Sequence, residues 1–208
     1  MARIQGVPAS QAGPLVKLVY RLMRRGMTTM TGRAPTRGNG IEPIELWAHQ
    51  PKMMTGMGKF QQAVRKAHGV DERTKNLVEL KGAQMIGCEY CVDVGSQICR
   101  NSGLSDAELL ALPRYQDSDL FTETEKTALD YAVAVMRTPV QVTDELFDRM
   151  TTHFTDPQIV ELTAFLTVVN LDRFNAAFGI ESAGFSDGMV CVLPDRPASP
   201  HTAEQTIS

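Results

Sequence analysis

The chain has 208 residues, 43% of them apolar and 22% charged, with a formal net charge of −3. This is the composition of a soluble globular protein long enough for an ample core. The mild negative balance argues against nucleic acid as the main partner. No apolar run approaches the roughly 20 residues of a membrane-spanning helix, and the N-terminus lacks a secretory apolar region. Four cysteines in a chain of this length do not make a disulfide scaffold, and they favour a reducing, cytoplasmic setting.

Charge is spread unevenly. Residues 1–40 carry Arg3, Lys17, Arg21, Arg24, Arg25, Arg33 and Arg37 and no Asp or Glu, so the rest of the chain is acidic. Leu15, Val16, Leu18, Val19, Leu22 and Met23 predict an amphipathic helix over about 11–25. Residues 26–40, rich in Thr, Gly and Pro, read as a linker, so 1–40 form a basic arm. Three roles compete for it: docking on an acidic surface of its own body or a neighbouring subunit, lying on a membrane surface, or serving as a transit peptide. We expect the first.

A helical domain is expected over 41–185. Ile44, Leu46 and Trp47 open it, and Met53, Met54, Met57, Phe60 and Val64 follow at helical spacing, as expected core or else as the lining of a loose apolar pocket. His49 and His68 read as structural histidines. Leu77, Leu80, Ala83 and Ile86 continue the helical pattern from an Asp71 cap to Gly87, and a second helix starts near Cys88 and runs to about Asn101. Ser105 with Glu108, Thr122 with Glu125 and Thr155 with Gln158 match capping boxes. They open helices at about 106–112, 123–137 and 156–179, with another at about 144–154 between them. No stretch alternates like a sheet strand, although 188–193 could form an isolated edge segment. Residues 186–208 read as a tail.

Chemistry concentrates at Cys88-Glu89-Tyr90-Cys91. Both thiols sit in the first turn of a helix, where unpaired N–H groups and the dipole favour a thiolate. Residue pattern alone leaves three readings: a redox dithiol, two small packing residues on one helix face, or part of a metal site. A zinc site needs about four ligands, and neither a second CxxC nor a nearby His pair supplies them. No Gly-rich phosphate loop or Ser-His-Asp pattern is present, and nothing implies a cofactor or metal.

The run Leu77-Val78-Glu79-Leu80-Lys81 through Gly87-Cys88-Glu89-Tyr90-Cys91-Val92-Asp93 resembles the signature of the carboxymuconolactone decarboxylase/alkylhydroperoxidase D family. With Gly103-Leu104-Ser105 and the segments 120–139 and 158–179, the resemblance covers roughly residues 40–185. It implies an all-α fold, a compact multi-helix bundle of the alkylhydroperoxidase D-like type that forms homo-oligomers. It also implies a bacterial cytoplasmic protein. The implied activity is reduction of a hydroperoxide or small organic substrate. Cys91 would attack as thiolate, Cys88 would resolve the sulfenic acid to a disulfide, and an external dithiol would reset the pair.

Peroxidase members carry a Glu and a His where this chain has Asn76 and Gly95. Glu79, one turn beyond Asn76, is the expected substitute acid. Asp93, Ser96 and Tyr90 are candidate relay groups, and Asn170 and Arg173 are candidates for the pocket wall. Asp172 reads as an exposed face position. Two alternatives remain: a lyase acting on a carboxylated lactone, and a member that binds or senses redox state without catalysis.

Overall fold

Short polar side chains start five helices of this fold. In the computed structural model, which describes residues 2–192, Asp71 accepts the Thr74 N–H at 2.8 Å and opens α4 (Glu72–Ile86). Ser105 and Glu108 exchange caps at the start of α6 (Asp106–Ala111), and Thr122 and Glu125 do so at α7 (Glu123–Met136). Thr143 caps α8 (Asp144–His153), and Gln158 accepts the Thr155 N–H at 2.9 Å at the start of α9 (Asp156–Val169). Ahead of these lie α1 (Pro14–Thr31), α2 (Glu42–Trp47) and α3 (Pro51–Arg65). Next to α4 is α5 (Glu89–Asn101), and α10 (Asp172–Ala177) comes last. The bundle is all-helical among the described residues.

Helix α4 is the centre, packed against α5, α7 and α9. Leu77, Val78, Leu80 and Ala83 join Ala128, Leu129 and Ala132 of α7 and Leu162, Phe165, Leu166 and Val169 of α9 in one apolar cluster. Gly82 permits this closeness, because a β-carbon there would stand 2.6 Å from Val169 Cγ1. Polar residues of α4 are therefore enclosed as well. The Lys75 ammonium, 2% exposed, meets Glu161 Oε1 at 2.6 Å. Glu161 also accepts the Gly69 N–H at 2.8 Å, which ties the loop before α4 to α9. Arg73 reaches Glu108 at 2.6 Å and Glu125 at 2.5 Å, so two capping carboxylates also anchor the start of α4.

Several elements differ from the sequence pattern. The basic helix runs on through Gly26 to Thr31, where a linker was expected, and ends at Gly32. Asn101 of α5 donates to the Met30 carbonyl at 3.1 Å and satisfies that end. The arm lies on its own body, with Val16 and Tyr20 buried and the Arg3 N–H donating to the Phe178 carbonyl at 2.8 Å. Met54 and Val64 of α3 enter the core, but Met53 and Phe60 are 56% and 44% exposed, so only one side of the expected Met-rich core stripe is buried.

The expected helix over 156–179 breaks after Val169. Leu171 and Arg173 make i→i−3 bonds to Val168 and Asn170, and this tighter winding re-aims α10. Residues 189–192 are irregular rather than an edge strand. Leu193 and the expected tail over 194–208 lie outside the described residues.

Lys75→Ala leaves the Glu161 carboxylate without its buried partner and should cost about 3–5 kcal/mol. Thermal unfolding should show a drop in Tm of roughly 10 °C or more, with partial recovery on adding Glu161→Gln. An unchanged Tm would contradict the burial of this pair.

Candidate dithiol site

Gly87 ends α4 in the left-handed region at φ 75°, which turns the chain straight into α5. Cys88 takes the N-cap position, its sulfur accepting the Cys91 N–H at 3.2 Å, and Cys91 lies three residues on in the first turn. The two are joined as a disulfide with a Cα–Cα distance of 5.2 Å. Their surroundings differ. Cys88 is 0% exposed and packs with Leu46, Tyr90, Val94, Ile180 and Phe185. Cys91 is only half-buried, and the Asn175 amide donates to its sulfur at 3.4 Å. Asn175 was not singled out from sequence, because an unbroken last helix would have given no reason to aim it there.

Glu79 of α4 is held by the Arg65 guanidinium at 2.5 and 3.2 Å. Asp172, one turn before Asn175, lies beside this pair instead of on an exposed face. Burial pushes its carboxyl well above the usual carboxylate range. The nearby Glu79 charge adds to this, and Arg65 opposes it. Phe174 stacks on Trp47 at 4.1 Å and meets Phe178 edge-on at 4.7 Å, which gives α10 an aromatic flank next to Asn175.

The remaining candidates are placed differently. Asp93 is 2% exposed and accepts from Ser182 Oγ at 2.9 Å, the Phe185 N–H at 3.0 Å and the Ser186 N–H at 2.6 Å, so it anchors the segment after α10. Ser96 Oγ contacts Cys191 Sγ at 3.8 Å. The Tyr90 hydroxyl donates to the Gly40 carbonyl at 2.8 Å, and burial raises its pKa. Arg173 reaches Asn170 at 2.8 Å and the Met136 carbonyl at 3.1 Å, so both brace the α9–α10 break. Asn76 is buried in α4, and a β-carbon at Gly95 would press on Leu80 Cδ1 at 3.3 Å.

The other thiols are poorly placed to react. Burial pushes the Cys99 thiol up to about 12 and raises that of Cys191. Among the described residues no three His, Cys, Asp or Glu side chains converge as a metal site, and no helix is long and apolar enough to cross a membrane. Two surface cavities, of ≈ 300 Å³ between α7 and α8 and ≈ 590 Å³ along α1, are lined by neither cysteine of the pair.

Residues 51–134 match the model of the carboxymuconolactone decarboxylase family. The chain is 35% identical over 162 residues to the uncharacterized protein YnjA of Escherichia coli (strain K12), covering 76% of this chain and 86% of that one. It is 27% identical over 134 residues to the uncharacterized protein YdfG of Bacillus subtilis (strain 168), covering 64% and 88%. Among solved structures, the debrominase Bmp8 superposes with a TM-score of 0.71 at 24% identity over 86% of this chain and 92% of that one. An uncharacterized peroxidase-related protein from Ralstonia eutropha JMP134, described as an alkylhydroperoxidase AhpD core, gives 0.69 at 18% identity over 92% and 98%. At these identities the two structures bear on the fold alone.

Two variants test these placements. Asp93→Ala removes a charged acceptor and should cost about 1.5–3 kcal/mol, with faster amide exchange at Phe185 and Ser186 and unchanged reactivity of Cys91. Slowed thiol chemistry without faster exchange would return Asp93 to a relay role. A carboxyl whose folded pKa is raised favours the folded state below its unfolded pKa and loses that advantage as pH rises through the folded pKa. Asp172→Asn should therefore raise Tm more at pH 8 than at pH 4. An equal or opposite difference would contradict the burial of this carboxyl.

Proposed function

We propose that this chain, which belongs to the carboxymuconolactone decarboxylase family, is a CxxC dithiol oxidoreductase that reduces hydroperoxides. The observation that carries the reading is the asymmetry of the pair at the α5 N-terminus. Cys88 is fully buried, whereas Cys91 is half-buried and touched by an amide donor. Nucleophilic attack needs access and a stabilised thiolate. The Asn175 amide supplies the stabilisation at the Cys91 sulfur, while the Cys91 N–H at the helix start is spent on the sulfur of Cys88.

The thiolate sulfur of Cys91 attacks the peroxide, forming an S–O bond as the O–O bond breaks. Cys88 then displaces the oxygen as water and forms the disulfide. An external dithiol of small-molecule or protein origin returns two electrons and two protons. The site calls for no bound cofactor in this cycle. The exposed Met53 and Phe60 of α3 support association between copies of the chain.

A second reading rests on the aromatic flank. Trp47, Phe174 and Phe178 beside the pair suit a flat apolar substrate, and the structural neighbour Bmp8 is a debrominase that was also solved, as a cysteine-to-alanine variant, in complex with 2,3,4-tribromopyrrole. The same dithiol could supply two electrons and a proton to a halogenated ring, a C–H bond replacing the carbon–halogen bond as halide leaves and the pair closes to the disulfide. The lyase reading gains nothing comparable, because among the described residues no cationic cluster stands at the sulfurs to hold a carboxylated lactone.

In a Cys99→Ser, Cys191→Ser background, peroxide should convert two free thiols to none. Cys88→Ser should leave a sulfenic acid on Cys91 that dimedone labels, and Cys91→Ser should lower turnover by at least about 10³-fold. A pair that stays reduced under peroxide would reject the peroxidase reading. Loss of thiols with bromopyrrole but not with peroxide would favour the second.

A further inference from the structure

Helix α1 carries an apolar arc wider than the body beneath it covers. Val16 and Tyr20 are buried on the inner side, and Met27 packs into the cluster around Cys88. At about 100° per residue, Leu15, Leu18 and Leu22 fall together on a neighbouring face. That face points away from the body, and the three leucines are 64%, 47% and 56% exposed. Next around the helix come Arg25, Arg21, Lys17 and Arg24, all exposed. Together with Ser10 and Tyr20, these four cations line the ≈ 590 Å³ recess along α1.

The cations lack counter-charges. Arg24 approaches Glu45 only at 3.9 Å. Among the described residues, the side chains of Lys17, Arg21 and Arg25 make no ion pair or hydrogen bond. Helix α1 is therefore seated on its body by apolar packing, and its charge is not spent there.

We propose that α1 is an interfacial helix that docks the protein on an anionic lipid bilayer, with its three leucines against the acyl chains and its four cations among the lipid phosphates. Two such stripes side by side need an occupant that offers apolar and anionic groups together, and the headgroup boundary of an anionic bilayer does so. A second copy of the chain fits less well. Two-fold pairing of α1 with α1 would cover the leucines but set Lys17, Arg21 and Arg25 of one copy against those of the other. Residues 1–40 hold no Asp or Glu to separate them. Docking of α1 on an acidic face elsewhere on a second copy does not close by two-fold symmetry, and it builds rings or filaments. The seating on the bilayer is shallow. The Tyr20 hydroxyl donates to the Val7 carbonyl at 2.8 Å and the Arg3 N–H to the Phe178 carbonyl at 2.8 Å, so the inner side of α1 stays on the body. Only the outer face enters the lipid, which makes the contact reversible and sensitive to salt.

The test is flotation of the full chain with vesicles of mixed phosphatidylglycerol and phosphatidylcholine, set against vesicles of phosphatidylcholine alone. The protein should float with the first and not with the second, and raised salt should release it. Arg21→Gln combined with Arg25→Gln should lower partitioning by about 25-fold, at about fivefold per cation removed from the surface. Leu18→Ser combined with Leu22→Ser should lower it by at least about tenfold. All four side chains are exposed, so both variants should keep the wild-type Tm, which separates lost docking from lost fold. Loss of binding in the arginine variant but not in the leucine variant would mean that phosphates alone are read, and it overturns the interfacial seating. Release by inorganic phosphate at constant ionic strength assigns the recess to a free anion and overturns it as well. A wild type that stays behind with both vesicles overturns the proposal outright. If its oligomeric mass then falls in the leucine variant, the face belongs to a second copy.

Discussion

Enclosing α4 on almost all sides is the constraint from which the rest of this structure follows. A buried helix cannot leave polar side chains in solvent, so each must end on a neighbouring element. Arg73 ends on the caps of α6 and α7, Lys75 on α9, Glu79 on Arg65 of α3, and the Gln84 amide on the Val192 carbonyl at 3.2 Å. Four polar residues thus reach four different parts of the fold. They fix where the loop before α4, the helix starts and the C-terminal segment must lie. The apolar face supplies the drive to pack, and these contacts make one arrangement preferable to others.

The same division runs along α5. Beyond its first turn, Asp93, Ser96, Gln97 and Arg100 hold the segment that follows α10, through Ser182, Phe185, Ser186, Met189, Val190 and Cys191. Polar side chains that look catalytic by their distance from the CxxC are used to fasten irregular backbone, which a buried segment without regular structure requires. The first turn is left with the two sulfurs and the dipole. The amide that meets the Cys91 sulfur comes from α10, a helix too short to be stable alone and held in place by packing.

What sequence revealed and what it hid follow from how local each cause is. Helix starts at Asp71, Ser105, Thr122 and Thr155, the Gly87 turn and the placement of Cys88 and Cys91 in a first turn all depend on residues within four positions, and they were legible. The family signature lies in this same local stretch. The break after Val169 was not legible, because Val168 to Arg173 carry no Gly or Pro and the winding changes to fit packing against α4 and α5. That one break decided the fate of three residues. Asp172 moved from an exposed face to the neighbourhood of the Glu79–Arg65 pair, Asn175 came to touch the Cys91 sulfur, and Arg173 turned to the end of α7. Exposure of Met53 and Phe60 was hidden for a similar reason, since a stripe of methionines reads alike whether its cover is the core or another surface.

Pairing Glu79 with Arg65 ties the end of α3 to the middle of α4, since the guanidinium holds the carboxylate through two bonds at 2.5 and 3.2 Å. At the start of α10 the Asp172 carboxyl is pushed up by burial and by the Glu79 charge, and Arg65 opposes both. The α9–α10 break thus sets a carboxyl beside an ion pair and, one turn on in the same short helix, an amide against the Cys91 sulfur.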